Sequence, residues 1–218
     1  MNQLQQRQLK AATQYMQQRQ GHDHSGHGVD HIQRVVRLTT KLCQQENVAA
    51  FIPVLAATLH DVIDDKVVTD VAQARLALSV FFNQQKITPK DQEAVWQIID
   101  HLSFSANLKQ HYVLSLAGQI VQDADRLDAI GALGIARAFY YGGHKGQPLY
   151  DPAIKPRSNL TKTTYRKQAV PVINHFYEKL LLLKDELNTV SGKEMANRRQ
   201  QVMLDFLVEF KQEWQGQA

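Results

Sequence analysis

Apolar residues recur along this chain at the three- and four-residue spacing of a helix face, and the alternation expected of half-buried strands does not. From Asp30 to about Glu46, Ile32, Val35, Val36, Thr39, Leu42 and Cys43 share one face, which predicts a helix with His31 in its first turn. A second helix begins near Pro53, a residue suited to a first turn, and is expected to run through His60 and Asp61. Val71, Ala74, Leu78 and Phe81 mark another behind Thr69 as its N-cap. Thr88 with Pro89 immediately after it starts a further one, carrying Ala94, Val95, Ile98, Ile99 and Leu102. The stretch from about His111 to Ile130 reads as one more helix. Two amphipathic patterns close the chain: Val172, Phe176, Leu180, Leu183 and Leu187, then Met195, Arg199, Met203, Phe206, Phe210 and Trp214.

Between these helices, Gly142, Gly143, Gly146, Pro148, Pro152 and Pro156 crowd residues 142–159, which predicts a loop too long for a simple turn. Near the N-terminus, Gln3, Gln5, Gln6, Gln8, Gln14, Gln17, Gln18 and Gln20 alternate with Leu4, Ala11, Ala12, Tyr15 and Met16, so the glutamines are expected to form the solvated face of a helix. No internal repeat is present. The pattern predicts an all-α single domain over 1–218. Its core would span about 20–130, a loop-rich segment at 131–160 could act as a lid, and helices in 161–218 would pack on the core.

The 218 residues suffice for one well-cored domain, and 44% hydrophobic with 21% charged residues is the profile of a soluble globular protein. No apolar run is long enough to span a bilayer, and the opening MNQLQQRQLK is polar, so the expected location is the cytoplasm, with no membrane partner. Cys43 is the single cysteine, which excludes an internal disulfide and a thiolate metal cage. The net charge of +4 is spread along the chain without a basic stripe of interleaved aromatics. A nucleic-acid partner is therefore not expected, whereas an anionic small molecule is compatible.

The chemistry centres on LAATLHDVIDD. His60 and Asp61 end an otherwise apolar run and are expensive to bury unless something pairs with them, and one divalent cation could pair with both. Adjacent helix residues point about 100° apart, so the two side chains can converge on an ion lying between them. His31 on the preceding helix and Asp123, Asp125 and Asp128 in VQDADRLDAIG supply the remaining candidates. Two imidazoles and two carboxylates suit Mn, Fe, Co, Ni, Zn or, less comfortably, Mg. A cation held this way would lower the pKa of its water and polarise a phosphoryl group.

The ordered set His31, then His60 and Asp61, then Asp125 resembles the H...HD...D signature of the HD-domain superfamily of metal-dependent phosphohydrolases. GHGVDHIQRV resembles the family's SHDxxHxxRV entry to the first ligand, with His27 at the preceding histidine and Arg34 at the usual arginine. HDVIDDK looks like the HDxxxDDK centre, and VQDADRLDAIGALGIARAF is similar to the third block. FYYGGHKGQPLYDP and HFYEKLLLLKDELNT resemble the distal blocks of the bacterial YedJ and YpgQ group, so the likeness covers nearly all of the chain after about residue 20. The resemblance implies an all-helical bundle with the metal site between central helices. It also implies hydrolysis of nucleotide phosphoanhydride bonds, nucleoside triphosphate to monophosphate and pyrophosphate, by metal-activated water. The alternatives are a phosphomonoesterase or cyclic-nucleotide phosphodiesterase of the same fold, and a non-catalytic metal-stabilised sensor or interaction module.

From the resemblance, His31, His60, Asp61 and Asp125 are the expected metal ligands, with Asp123 the alternative to Asp125. The ion would be Mn, Mg, Co or Ni. Asp64 lies one helical turn beyond His60 and, with Asp65, is the candidate general acid/base or water-positioning group. In HD domains that hydrolyse guanosine tetraphosphate the corresponding pair is Glu then Asp; here the first member is the shorter Asp64. Arg34, Lys66, Arg126 and Lys145 are candidates for phosphate contacts, His27 for supporting the metal ligands from behind or touching substrate, His101 for a site-lining imidazole, and Asp128 for orienting the site or touching substrate. The plainer reading of Arg34 and Lys66 is a solvated helix face or pairing with carboxylates. Under the plainer reading His22, Asp23 and His24 are loop residues, His111 and His175 are structural or exposed, and Cys43 belongs to the core. The expected partner is a small-molecule nucleotide, and a homodimer is compatible with the sequence.

Overall fold

The computed structural model describes residues 1–20, 28–65, 67–102, 112–158 and 170–217, and every regular element among them is helical. In chain order these are α1 (Gln3–Gln20), α2 (Val29–Gln45), α3 (Phe51–Leu59), α4 (Val71–Gln84), α5 (Pro89–Ile99), α6 (Leu116–Asp128), α7 (Gly131–His144) and α8 (Val190–Trp214). Short α, π and 3-10 turns fill Val172–His175, Phe176–Leu180 and Leu183–Glu186. The all-α expectation holds, and no helix among the described residues is long and apolar enough to cross a membrane. The chain divides into two compact units, Met1–Asp125 and Arg126–Ala218.

In the first unit α3 is the central element, with α1, α2 and α5 packed against it. All of its residues except Ile52 are buried, because its apolar residues run around the whole helix instead of forming a stripe. Each large aliphatic side chain so buried contributes about 1.5–3 kcal/mol. Ile32, Val35 and Leu42 of α2, Leu78 and Phe82 of α4, and Val95 and Ile98 of α5 complete the core. Helix α1 differs from its expectation. Its buried face is Gln8, Ala12, Met16 and Gln20, while Leu4 is exposed. The Gln8 amide donates to the carbonyls of Gln85 (3.0 Å) and Lys86 (3.2 Å), so this glutamine fastens α1 to the turn after α4 and does not face solvent.

Two helix ends also shift. Helix α4 is capped by Asp70, whose carboxylate accepts the Gln73 amide at 2.9 Å, and not by Thr69. Both residues are cap-competent, and the carboxylate is the stronger acceptor for a first-turn N–H. Helix α3 stops at Leu59, one residue before the expected ligand pair. Three-residue bonds from the Val62 amide to the Leu59 carbonyl and from the Asp64 amide to the Asp61 carbonyl, each 3.2 Å, then tighten the chain into successive turns.

In the second unit, α7 packs against α8 around a cluster of Phe139, Phe176, Phe206 and Phe210, with ring centroids 5.8–6.3 Å apart. Gly142 and Gly143, expected in a loop, lie in the last turn of α7. A Cβ on Gly142 would come within 2.2 Å of Val172 Cγ2, so the glycine permits a close approach, not a turn. The pattern from Val172 to Leu187, expected as one helix, is broken by the π turn, where the Leu181 amide reaches back five residues to the Phe176 carbonyl at 2.9 Å. Helix α8 is capped by Thr189, whose hydroxyl accepts the Gly192 amide at 3.0 Å. Ala196, Met203 and Leu207 are buried on this helix, whereas Trp214 at the far end is about half exposed at 48%.

Candidate metal centre

Three segments of the first unit bring the expected donors together. His31 occupies the first turn of α2, where its amide bonds the Gly28 carbonyl at 3.0 Å, and its imidazole is 1% exposed. His60 and Asp61 follow the end of α3 and are buried by its packing. Asp125 projects from α6, with its side chain about one third exposed at 34%. His31 Nε2 lies 3.6 Å from Asp61 Oδ2 and 3.4 Å from Asp125 Oδ1. His60 Nε2 lies 3.3 Å from Asp61 Oδ1 and 3.8 Å from Asp125 Oδ1. One donor atom each from His31, His60 and Asp125 falls within 4.8 Å of the others.

The ring orientation of His60 is set by its neighbour. Nδ1 lies 2.9 Å from the Ala57 carbonyl, an acceptor, so Nδ1 carries the proton and Nε2 presents a lone pair. That Nε2 is fully buried and has no hydrogen-bond partner. A buried acceptor pointed at two carboxylates is unfavourable alone, and a cation between them resolves it. Donors about 2.1 Å from a shared ion stand roughly 3.0–3.4 Å apart, close to the separations found here. The residues therefore fit a divalent ion, and the mixed nitrogen and oxygen set suits Mn, Fe, Co, Ni or Zn. Burial works against the charge on Asp125, but the hydrogen bond from His31 and the neighbouring imidazoles of His60 and His31 outweigh it, against the opposing charge of Asp61. The carboxyl is held well below the usual carboxylate range.

The other expected site residues fall into three groups. Asp64 is half-buried in the turns that follow the ligand pair and Asp65 is exposed. Asp123 is fully buried and is not part of the donor cluster, which takes Asp125. Arg34 donates to Asp30 at 2.6 Å, one turn back on α2, which is the pairing that its plainer reading anticipates. His101 has Nδ1 2.8 Å from the Gln97 carbonyl and its ring against Tyr112, centroids 4.1 Å apart. His27 and Lys66, like His22, Asp23, His24 and His111, lie outside the described residues.

In the second unit, Arg126 is buried and reaches both the backbone carbonyl and, at 3.2 Å, the carboxylate of Glu186. Asp128 is fully buried and accepts from Arg137 at 2.6 Å, which engages it in orientation of the chain. Lys145 is exposed beside the Tyr141 ring at 5.8 Å. Sequence reasoning missed Glu178, a fully buried carboxylate that receives three bonds from Arg157, from the amide at 2.9 Å, Nε at 3.0 Å and the terminal nitrogen at 2.6 Å. The Val172–Leu187 stretch also holds Asp185 and Glu186, so residue type alone did not single out Glu178 as the buried carboxylate. It missed Ala57 as well, which acts through its carbonyl and leaves no mark in the sequence.

An all-helical unit that gathers His31, His60 and Asp125 from three separate segments, with Asp61 against both imidazoles, defines a helical protein with a site fit for a divalent ion. The chain belongs to the HD-domain family of metal-dependent phosphohydrolases, whose family model matches residues 28–130. YpgQ of Bacillus subtilis is 37% identical over 196 residues, covering 88% of this chain and 86% of that protein. The crystal structure of YpgQ in complex with ADP has a TM-score of 0.74 at 34% identity, covering 96% of both chains. A protein from Lactobacillus plantarum is similar over 96% of this chain and 97% of its own, with 50% identity and a TM-score of 0.88. An HD-superfamily hydrolase from Bacillus thuringiensis matches at 37% identity and a TM-score of 0.76, covering 97% and 98% of the two chains.

Proposed function

We propose that this phosphohydrolase cleaves a phosphoanhydride bond of a nucleoside triphosphate, releasing the monophosphate and pyrophosphate. The observation that carries the reading is the convergence of His31, His60 and Asp125, with Asp61 against both imidazoles and the Nε2 of His60 without a hydrogen-bond partner. The ADP held by YpgQ supports a nucleotide as the ligand class. A divalent ion bound here would supply a Lewis acid and would lower the pKa of a water beside it. His31, His60, Asp61 and Asp125 would hold it, and the Ala57 carbonyl would keep the His60 ring in the ligating tautomer. Asp64, half-buried and bonded through its amide to the Asp61 carbonyl, moves the proton of the attacking water, with Asp65 beside it. Arg34, Lys66, His27 and His101 are assigned to the phosphate oxygens or the lining of the site.

The test is a screen of the metal-reconstituted protein against nucleoside triphosphates, monophosphates and cyclic nucleotides, with products separated chromatographically. Pyrophosphate release that disappears in Asp61→Ala, with the helical circular dichroism retained, is the expected result. Orthophosphate from monophosphates, or ring opening of cyclic nucleotides, selects the other hydrolase reading instead, and metal retention without any turnover selects the sensor module. Asp64→Asn is expected to lower kcat by about 10²–10⁴-fold with metal content unchanged; an equal loss of both would make Asp64 a ligand.

A further inference from the structure

The expected ligand Asp125 lies three residues before the end of α6, and side chains from two other helices bond that end. A helix leaves its last four carbonyls without intrahelical donors, and these are commonly met by a glycine-based turn. Here the Ala129 amide donates to the Arg126 carbonyl at 3.1 Å and the Ile130 amide to the Leu127 carbonyl at 3.3 Å, and two guanidinium groups add further donors. Arg199 of α8 donates to the Leu127 carbonyl. Arg137 of α7 donates to the Asp128 carbonyl at 3.3 Å and to its buried carboxylate at 2.6 Å. The seat of Arg199 is shaped for it: Gly131 has φ +78°, and a Cβ there would come within 3.0 Å of both Cβ and Cγ of Arg199. Only glycine provides that backbone conformation and that clearance together.

We propose that Arg199 and Arg137 are positioning residues for Asp125, acting through the C-terminal turn of α6. The inference rests on the reading of Asp125 as a metal ligand. Residues 125 and 128 share one helix turn, each residue contributing about 1.5 Å of rise and about 100° of rotation. Fraying of the carbonyls at 127 and 128 therefore reaches the backbone of Asp125 directly. A ligand set tolerates deviations of only about 0.2 Å in its bond lengths, so a loosened turn weakens the site without removing a ligand. The role differs in sign from a simple charge effect. Guanidinium groups near a cation repel it, so a purely electrostatic contribution makes their removal tighten metal binding, whereas loss of positioning weakens it.

The experiment is titration of the metal-free protein with Mn2+ alone, followed calorimetrically well below the melting temperature of each variant. Arg199→Met is expected to weaken Mn2+ binding by about 10–100-fold, the range found when outer partners of metal ligands are removed, and Arg199→Lys to recover most of it. The double variant Arg137→Met with Asp128→Asn, which removes Arg137 together with the carboxylate it bonds, is expected to weaken binding in the same direction and serves where Arg199→Met does not fold. Unchanged or tighter Mn2+ binding in these variants, with Asp125→Asn losing it, overturns the positioning role alone. Undiminished binding in Asp125→Asn overturns the ligand reading itself.

Discussion

The imidazole of His60 is defined by what surrounds each of its nitrogens. One is bonded to the Ala57 carbonyl at 2.9 Å, and the other is buried against Asp61 and Asp125. The sequence marked the histidine and the carboxylates because their residue types and order are unusual in an apolar setting. It could not mark the carbonyl, since every residue has one. The choice between Asp123 and Asp125 was open for a related reason: two positions apart on a helix, they point about 200° away from each other, and only the packing of α6 says which one faces the histidines. Arg126 and Asp128 show the same limit, since their partners Glu186 and Arg137 lie 60 and 9 residues away. Cys43 follows its sequence reading. It is 1% exposed, and burial pushes its thiol up to about 11. A thiol-reactive chromophore at pH 8 should label the native protein far more slowly than the denatured chain; equal rates would contradict the burial. The stabilisation from keeping this thiol neutral is complete below pH 9 and is lost as pH rises towards about 11.

At the scale of elements, the helices were legible and their ends were not. Periodicity locates a helix by what it buries, but a cap depends on one side chain reaching one amide, and Thr69 and Asp70 are both able to do so. Asp70→Ala should destabilise the protein by about 1 kcal/mol in urea unfolding, while Thr69→Ala should change it much less; the reverse order would restore Thr69 as the cap. The segment 172–187 shows a second limit. Its apolar positions keep helical spacing, and yet the backbone passes through α, π and 3-10 geometry in succession. The buried Glu178 lies within the π turn and takes up Arg157, so side-chain pairing with a residue outside the segment accompanies the break. Pattern alone assigns such a stretch to one helix because it registers burial and not hydrogen-bond length.

For the molecule as a whole, the all-α class and the family followed from the sequence, because both rest on features repeated across many residues. Stability against acid rests on fewer. Burial lowers His175 from 6.5 to about 3, and the cationic charges of Lys179 and Arg157 add to the effect. The folded state therefore prefers the neutral ring, while the unfolded chain takes up a proton near pH 6.5. The stabilisation from His175 is present above that pH and is lost as pH falls towards about 3. Urea midpoints measured at pH 7, 5 and 4 should decline, and His175→Asn should make the decline shallower; an unchanged slope would assign the acid limb to other groups.

The burial of α3 on nearly every side has a kinetic consequence. Its backbone amides can reach solvent only when the core of the first unit opens, so those of Leu55 to Leu59 should be among the slowest in the protein to exchange with deuterium, close to the limit set by global unfolding. The turn that presents His60 and Asp61 is thus continuous with the most persistent part of the structure, whereas Asp125 approaches from a side chain that solvent already touches. An ion held among them would meet solvent on the Asp125 side, and its loss would leave the turn bearing His60 and Asp61 in place.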